Sequence, residues 1–245
     1  MSATATVCGL HAVRTLLARA PARMRRLQVD ARRDDARVRE LLQLALRAGI
    51  TAERIDAKQL AARLGEAAHQ GVVADVEPLP PWHEDELIAA VAAASAPLVL
   101  VLDGVQDPHN LGACLRSADA CGALAVVVPK DRAAGLNATV RKVAAGAAET
   151  VPLASVTNLA RALRLLKEAG QWIVGADMHG EKFAWQADLT GSRAIVMGGE
   201  GDGLRELTRK SCDFLVRLPQ LGAIESMNVS VACGMLLYEA VRQRA

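Results

Sequence analysis

From Pro97 onward, short apolar runs alternate with stretches of helical spacing, and this alternation constrains the fold more than any other feature of the chain. The runs are LVLVL (98–102), LAVVV (124–128), WIVGA (172–176), AIVMG (194–198) and FLVRL (214–218). Helices are expected near 110–121, 137–148 and 156–169, the last with Leu159, Leu163 and Leu166 on one face, and a long one over Asn228–Arg242. Strands that are apolar at nearly every position are buried on both faces. The expected fold class is therefore α/β, a mostly parallel sheet with helices on both faces. Ligands of such sheets sit beyond the carboxyl ends of the strands.

Residues 1–76 read as a separate small α/β domain. Helices are expected over 9–19 and 34–48, where Leu41, Leu42, Ala45 and Leu46 recur at helical spacing and Gly49 marks a stop. Arg26–Val29 and Gly71–Val76 read as strands. Residues 77–94 are expected to link this unit to a second domain, 95–245. The stretch from Glu77 to Asp85 contains Pro78, Pro80 and Pro81 and lacks periodicity, and a short helix near 84–94 leads onward.

Residues 1–80 carry 13 basic and 9 acidic side chains, so the N-terminal part is basic while the remainder is slightly acidic. A surface for phosphate and an ordinary solvated face fit this balance equally. There is no Phe, Trp or Tyr in the first 80 residues, which excludes stacking of single-stranded bases there and leaves readout of shape and phosphate. The five cysteines (Cys8, Cys114, Cys121, Cys212 and Cys233) are odd in number and form no CxxC pair, so neither a disulfide framework nor a zinc site is expected, and no metal is. His11 and Arg14 interrupt any secretory apolar core, and the apolar stretch Leu87–Leu102 contains Ser95 and Pro97 and is too short to span a bilayer. A cytoplasmic protein with no membrane partner is expected.

Three segments that follow predicted strands carry the chemistry. In LDGVQDPHNLGACLRSADACGA (102–123) a helix is expected to open at Asn110, whose ordinary role would be a cap. Arg116 stands in an otherwise small and apolar helix and needs an anionic partner, either a carboxylate such as Asp119 or a substrate phosphate. In VMGGEGDGL (196–204), four glycines within 198–203 let backbone approach a ligand closely, and Glu200 stands among them. The spacing is neither GxGxxG nor a P-loop. In LPQLGAIESMNVSVACGMLLYEA (218–240), Ser226, Asn228 and Ser230 cluster where helix amides are free.

In this order, the three segments resemble the signature motifs of the SpoU (TrmH) family of RNA ribose methyltransferases, within the SPOUT superfamily. The resemblance is specific over about 97–243. GLHAV (9–13) and HQGVVADV (69–76) also resemble the substrate-binding domain of the family's members that act on bacterial 23S rRNA. Gly199 and Met227 are mild departures from the usual alanine and leucine. The resemblance implies a C-terminal trefoil knot, which elementary topology would not predict. It also implies S-adenosylmethionine as methyl donor, with Gly198, Leu218 and Met227 at its adenine and ribose. Arg116 is implied as the catalytic arginine, with Asn110, Glu200, Ser226 and Asn228 shaping the site. A guanidinium keeps its proton in water, which makes it a poor ordinary general base; gripping a phosphate and polarising a 2′-hydroxyl is the alternative, and the resemblance leaves both roles open. The implied partners are 23S rRNA or a ribosomal precursor particle, and a second copy of the chain. The C-terminal helix, with Val231, Met235 and Leu236, fits an interface or a core equally. Arg14, Arg19, Arg23, Arg25 and Arg26 become candidate phosphate contacts.

Other function classes have weaker support. A nucleotide-dependent dehydrogenase needs a glycine fingerprint after its first strand, and residues 103–112 do not supply one. A non-catalytic RNA-binding protein would have no use for the intact set Asn110, Arg116, Glu200, Ser226 and Asn228. A tRNA substrate is the rival within the family, and the N-terminal domain separates the two.

Overall fold

The computed structural model describes residues 4–64, 70–131, 133–201, 203–223 and 226–245. His69, the first residue of the second N-terminal match, lies outside them.

Two sheets organise the chain. The first has order β1-β4-β2-β3, formed by Ala5–Cys8 (β1), Met24–Asp30 (β2), Ala52–Ile55 (β3) and Val72–Val76 (β4). β4 pairs antiparallel with both β1 and β2, and β2 pairs parallel with β3. Helices Leu10–Arg19 (α1), Ala36–Arg47 (α2) and Ala57–Leu64 (α3) complete the unit. Val13, Leu16, Leu27, Val38 and Leu41 share one buried cluster. Asp35 starts α2 by accepting the backbone N–H groups of Arg37 and Val38.

The second sheet has seven strands, and every pairing in it is parallel. In chain order they are Leu98–Asp103 (β5), Ala125–Pro129 (β6), Leu153–Val156 (β7), Trp172–Ala176 (β8), Lys182–Phe183 (β9), Arg193–Gly198 (β10) and Phe214–Arg217 (β11). The spatial order is β7-β6-β5-β10-β8-β11-β9. Side chains of a strand alternate between faces. Leu98, Leu100 and Leu102 of β5, with Ile195 and Met197 of β10, enter a core shared with Pro108–Ala120 (α5), Ala138–Ala144 (α6) and Val229–Arg244 (α9). Val99, Val101, Ala194 and Val196 enter the opposite core, under Glu84–Ala93 (α4) and Leu159–Glu168 (α7). Both faces are therefore covered, as the unbroken apolar runs require. Each fully buried leucine contributes roughly 1.5–3 kcal/mol relative to exposure. Glu206–Ser211 (α8) closes the set of helices.

The segment expected to link the domains divides in two. Trp82 forms a bridge to Ala154 beside β7, and Leu87 and Val91 of α4 are buried in the core of the large sheet. Residues 82–93 therefore pack as part of the second domain, because Leu87, Ile88 and Val91 give α4 an apolar face. The two domains also touch. A Cβ added at Gly146 would stand 3.0 Å from the Cα of Ala12, so α1 lies close against the turn after α6. Glu149 is only 3% exposed. Its carboxylate meets Arg23 of the small domain at 2.6 Å and is also paired with Arg141 of α6.

Candidate active site

The carboxyl ends of β8, β10 and β11, together with the chain entering α9, enclose a cavity of about 500 Å³. This is the end of the sheet where ligands are expected, and the volume suits a small-molecule site. Of the residues singled out in the sequence, Gly198, Glu200, Leu218, Ser226, Met227 and Asn228 line it.

The glycine-rich turn owes its shape to its composition. Gly199 and Gly203 bridge to each other, and Gly201 and Gly203 have φ of +91° and +65°, a region that favours glycine. A Cβ at either of those two would meet no atom within 4 Å, so the backbone is open to close approach by a ligand. A Cβ at Gly198, by contrast, would fall 2.1 Å from the carbonyl carbon of Gly203. The exit of the turn is anchored to β5. Asp103, whose side chain is fully buried, meets the Arg205 guanidinium at 2.7 Å and accepts the Arg205 backbone N–H at 3.0 Å.

Asn110 ties the three motif segments together. The sequence suggests a cap there, but α5 opens two residues earlier, with Pro108 in its first turn and Asp107 accepting the His109 N–H at 3.0 Å. Asn110 is thereby free for tertiary work and is buried. Its side-chain amide donates to Glu200, and its carbonyl accepts from Asn228 Nδ2 at 3.1 Å. Asn228 is the cap of α9, its Oδ1 accepting from the Ser230 and Val231 N–H groups. Capping fits its position, and its remaining donor joins the site.

Arg116 stands apart. It is exposed on α5 and does not line the cavity. Asp119, its candidate carboxylate partner, accepts instead from the Thr150 hydroxyl at 2.7 Å. Among the described residues Arg116 makes no ion pair. Of the two partners weighed from sequence, the Asp119 carboxylate forms no ion pair with it.

The candidate phosphate contacts of the small domain are largely paired. Arg14 lies 3.5 Å from Glu40, Arg25 pairs with Glu77, and Arg26 meets Glu53 at 2.6 Å, all at exposed positions where phosphate can compete. Arg19 is exposed and has no carboxylate partner among the described residues. Arg23 departs from expectation. Its guanidinium is committed to the Glu149 carboxylate, the Glu149 carbonyl at 2.8 Å and the Glu77 carbonyl at 2.9 Å, which makes it a joint between domains.

Three polar cavity residues, Asp177, His179 and Arg209, escaped the sequence reading. Asp177, just beyond β8, pairs with Arg209 of α8 and accepts the His179 N–H at 2.8 Å. All three residues line the cavity. Asp177 had one signal, its position at the carboxyl end of a predicted strand. The five cysteines are free thiols, and no group of metal-ligating side chains occurs among the described residues. Burial pushes the Cys212 thiol up to about 12.

Comparison with known proteins agrees with this geometry. Residues 97–238 match the SpoU rRNA Methylase family, and residues 6–82 match the RNA 2′-O ribose methyltransferase substrate-binding family. A Vibrio cholerae protein named 23S rRNA (guanosine-2′-O-)-methyltransferase RlmB is 52% identical, covering 97% of this chain and 96% of the relative. Its Escherichia coli counterpart of the same name is 48% identical, with 98% of each chain covered. Among solved structures, the SpoU methyltransferase AviRb from Streptomyces viridochromogenes, in complex with the cofactor AdoMet, has a TM-score of 0.76 at 28% identity. That match covers 98% of this chain and 90% of the other.

Proposed function

Because the chain belongs to the SpoU rRNA methylase family, we propose that it methylates the ribose 2′-hydroxyl of a guanosine in 23S rRNA, with S-adenosylmethionine as donor. The observation that carries this reading is the Asn110 tie. It draws Glu200 and Asn228, 90 and 118 residues away in sequence, to one cavity of small-molecule size. The names of relatives that are about half identical over nearly the full chain support the substrate.

The cavity fits the donor. Gly198 and the open backbone at Gly201 and Gly203 suit close hydrogen bonding to an adenosine, and Leu218 and Met227 supply apolar walls. When bound, S-adenosylmethionine supplies a methyl carbon activated by a sulfonium. The chain's task is to align the ribose oxygen with that carbon and to ease loss of the hydroxyl proton. Alignment alone can be worth several kcal/mol, of the order of about 7 in well-oriented reactions. Arg116 grips the phosphate next to the target ribose and polarises the 2′-hydroxyl. Asn110, Glu200, Ser226 and Asn228 hold the walls in register. The small domain binds structured RNA through Arg14, Arg19, Arg25 and Arg26.

A homodimer belongs to this reading. Val231, Met235 and Tyr238 form an exposed apolar face on α9, which packs beside the helix that carries Arg116. Leu236, by contrast, is in the core. A second copy on that face would set Arg116 near the subunit boundary. The trefoil threading implied by the family belongs to the same reading. No helix among the described residues is long and apolar enough to cross a membrane, in keeping with action on RNA in the cytoplasm.

Incubation with labelled S-adenosylmethionine and either unmodified 23S rRNA or bulk tRNA, followed by nucleoside analysis, tests the proposal. The expected product is 2′-O-methylguanosine at one position of the rRNA. Label on tRNA alone, or on a base, would overturn it.

A further inference from the structure

If the enzyme handles unpaired nucleotides, base stacking must come from outside the first 80 residues, which hold no aromatic side chain. One aromatic stack exists among the described residues, and it stands at the outer edge of the large sheet. The Phe183 and Trp185 rings lie 4.7 Å apart at an interplanar angle of 6°. The Arg217 guanidinium sits 4.4 Å from the centroid of Phe183, so Phe183 is flanked by an indole and a cation.

The fold sets this cluster on the edge strand of the large sheet, one strand away from residues that line the cavity, with Phe183 and Arg217 on the opposite face of the strand pair from Val216. β9 is the edge strand of the large sheet and pairs with β11, with Lys182 opposite Val216 and Phe183 opposite Arg217. Val216 and Leu218 line the cavity, as do Met178 and His179 in the loop that joins β8 to β9. Trp185 is 52% exposed, so a large part of the residue is in contact with solvent. Among the described residues neither Arg217 nor Lys182 makes an ion pair, so two cations stand beside the stack without a carboxylate to neutralise them. Packing alone explains Phe183, which is half-buried, but not a second aromatic laid over it and left wet.

We infer that the Phe183–Trp185 stack, with Arg217 and Lys182 beside it, is a docking platform for an unpaired base of the RNA substrate and its phosphate. The indole offers a flat π-face to a base of any identity, and the cations attend to the backbone. This inference rests on the RNA-methylating reading above and adds where an unpaired stretch of the RNA is gripped.

The test compares the full-length wild type with Trp185→Ala, Trp185→Phe and Arg217→Ala. Affinity for unmodified 23S rRNA is measured by filter binding at fixed salt, affinity for S-adenosylmethionine by calorimetry, and oligomeric state by sedimentation. Trp185→Ala is expected to weaken rRNA binding by about fivefold to a hundredfold, the range found when a base-stacking aromatic is removed. Trp185→Phe keeps a π-face and is expected to stay within about threefold of wild type, since stacking tolerates the change of ring. Arg217→Ala is expected to weaken rRNA binding and to flatten its salt dependence. Binding of S-adenosylmethionine should be unchanged by the Trp185 variants. If the wild type methylates rRNA and Trp185→Ala binds it as tightly as wild type does, the platform is refuted and the enzymatic reading stands. A Trp185→Ala protein that changes oligomeric state with rRNA affinity intact would assign the face to a protein contact. A wild type that neither binds nor methylates rRNA would remove both readings together.

Discussion

In the small domain, arginines and carboxylates meet at the surface in separate pairs, Arg25 with Glu77 and Arg26 with Glu53. In the large domain, the polar groups that matter meet across long stretches of chain, as Asn110 does with Glu200 and Asn228, and Asp103 with Arg205. The first arrangement leaves charge where a polyanion can displace a weak partner, because exposed pairs are worth about 0–1 kcal/mol. The second fixes loops around a cavity and has little freedom to re-pair. Under the proposed function, the first arrangement serves a large, charged and mobile ligand and the second a small one that must be held still. Arg23 obeys neither pattern. It leaves the surface population to hold the domains together through Glu149.

Perturbing that joint should have the largest effect. Glu149→Ala strands the half-buried guanidiniums of Arg23 and Arg141 and should cost about 3 kcal/mol, the low end for breaking a buried pair because both arginines keep some water. Urea denaturation reads this directly, and an unchanged midpoint would show that the joint contributes nothing. Next is Arg116→Ala. Its kcat should fall by about a hundredfold or more, as when a group that stabilises developing charge is removed, with affinity for S-adenosylmethionine preserved. Wild-type turnover would take Arg116 out of the mechanism.

Gly198→Ala drives a Cβ into the Gly203 backbone. A loss of about 1–3 kcal/mol in stability is expected from overpacking, with weakened cofactor binding. Calorimetry showing normal binding would mean that the turn can move without harm. Within the small domain, Arg19→Ala should reduce the salt slope of rRNA binding by about one counterion, while Arg25→Ala should change it less, since Arg25 begins with a partner. Equal slopes for the two variants would break the distinction between free and paired arginines. The smallest effect concerns Cys212. With burial holding its thiol near 12, it stays protonated at pH 8 and should resist alkylation in the native protein; rapid labelling would show that its surroundings open.

The sequence disclosed the interior strands of both sheets and concealed the edges. β5, β6 and β10 are apolar at almost every position because they are covered on both faces. The four strands without a visible pattern, β1, β3, β7 and β9, are the outermost strands of their sheets. An edge strand has one ladder neighbour and is short here, and β3 has no buried residue at all, whereas β7 is largely buried but only four residues long. The site was legible in parts. Glu200 and the glycines stood out by composition, and position after a strand marked the right end of the sheet. The tie through Asn110 could not be read from spacing, because its partners are 90 and 118 residues away. Grouping those residues needed the resemblance. Asp177 and Arg209 carried no motif and appeared only when β8 and α8 were brought together.

The division between a salt-sensitive RNA grip and a fixed cofactor cavity can be tested by one paired titration of the wild-type protein. Affinities for S-adenosylmethionine and for unmodified 23S rRNA would be measured between about 50 and 200 mM salt, a range over which several phosphate contacts shift affinity by orders of magnitude. The account predicts a steep fall for rRNA and a nearly flat response for S-adenosylmethionine. A flat response for rRNA, or a cofactor affinity that falls in parallel with it, would contradict the account.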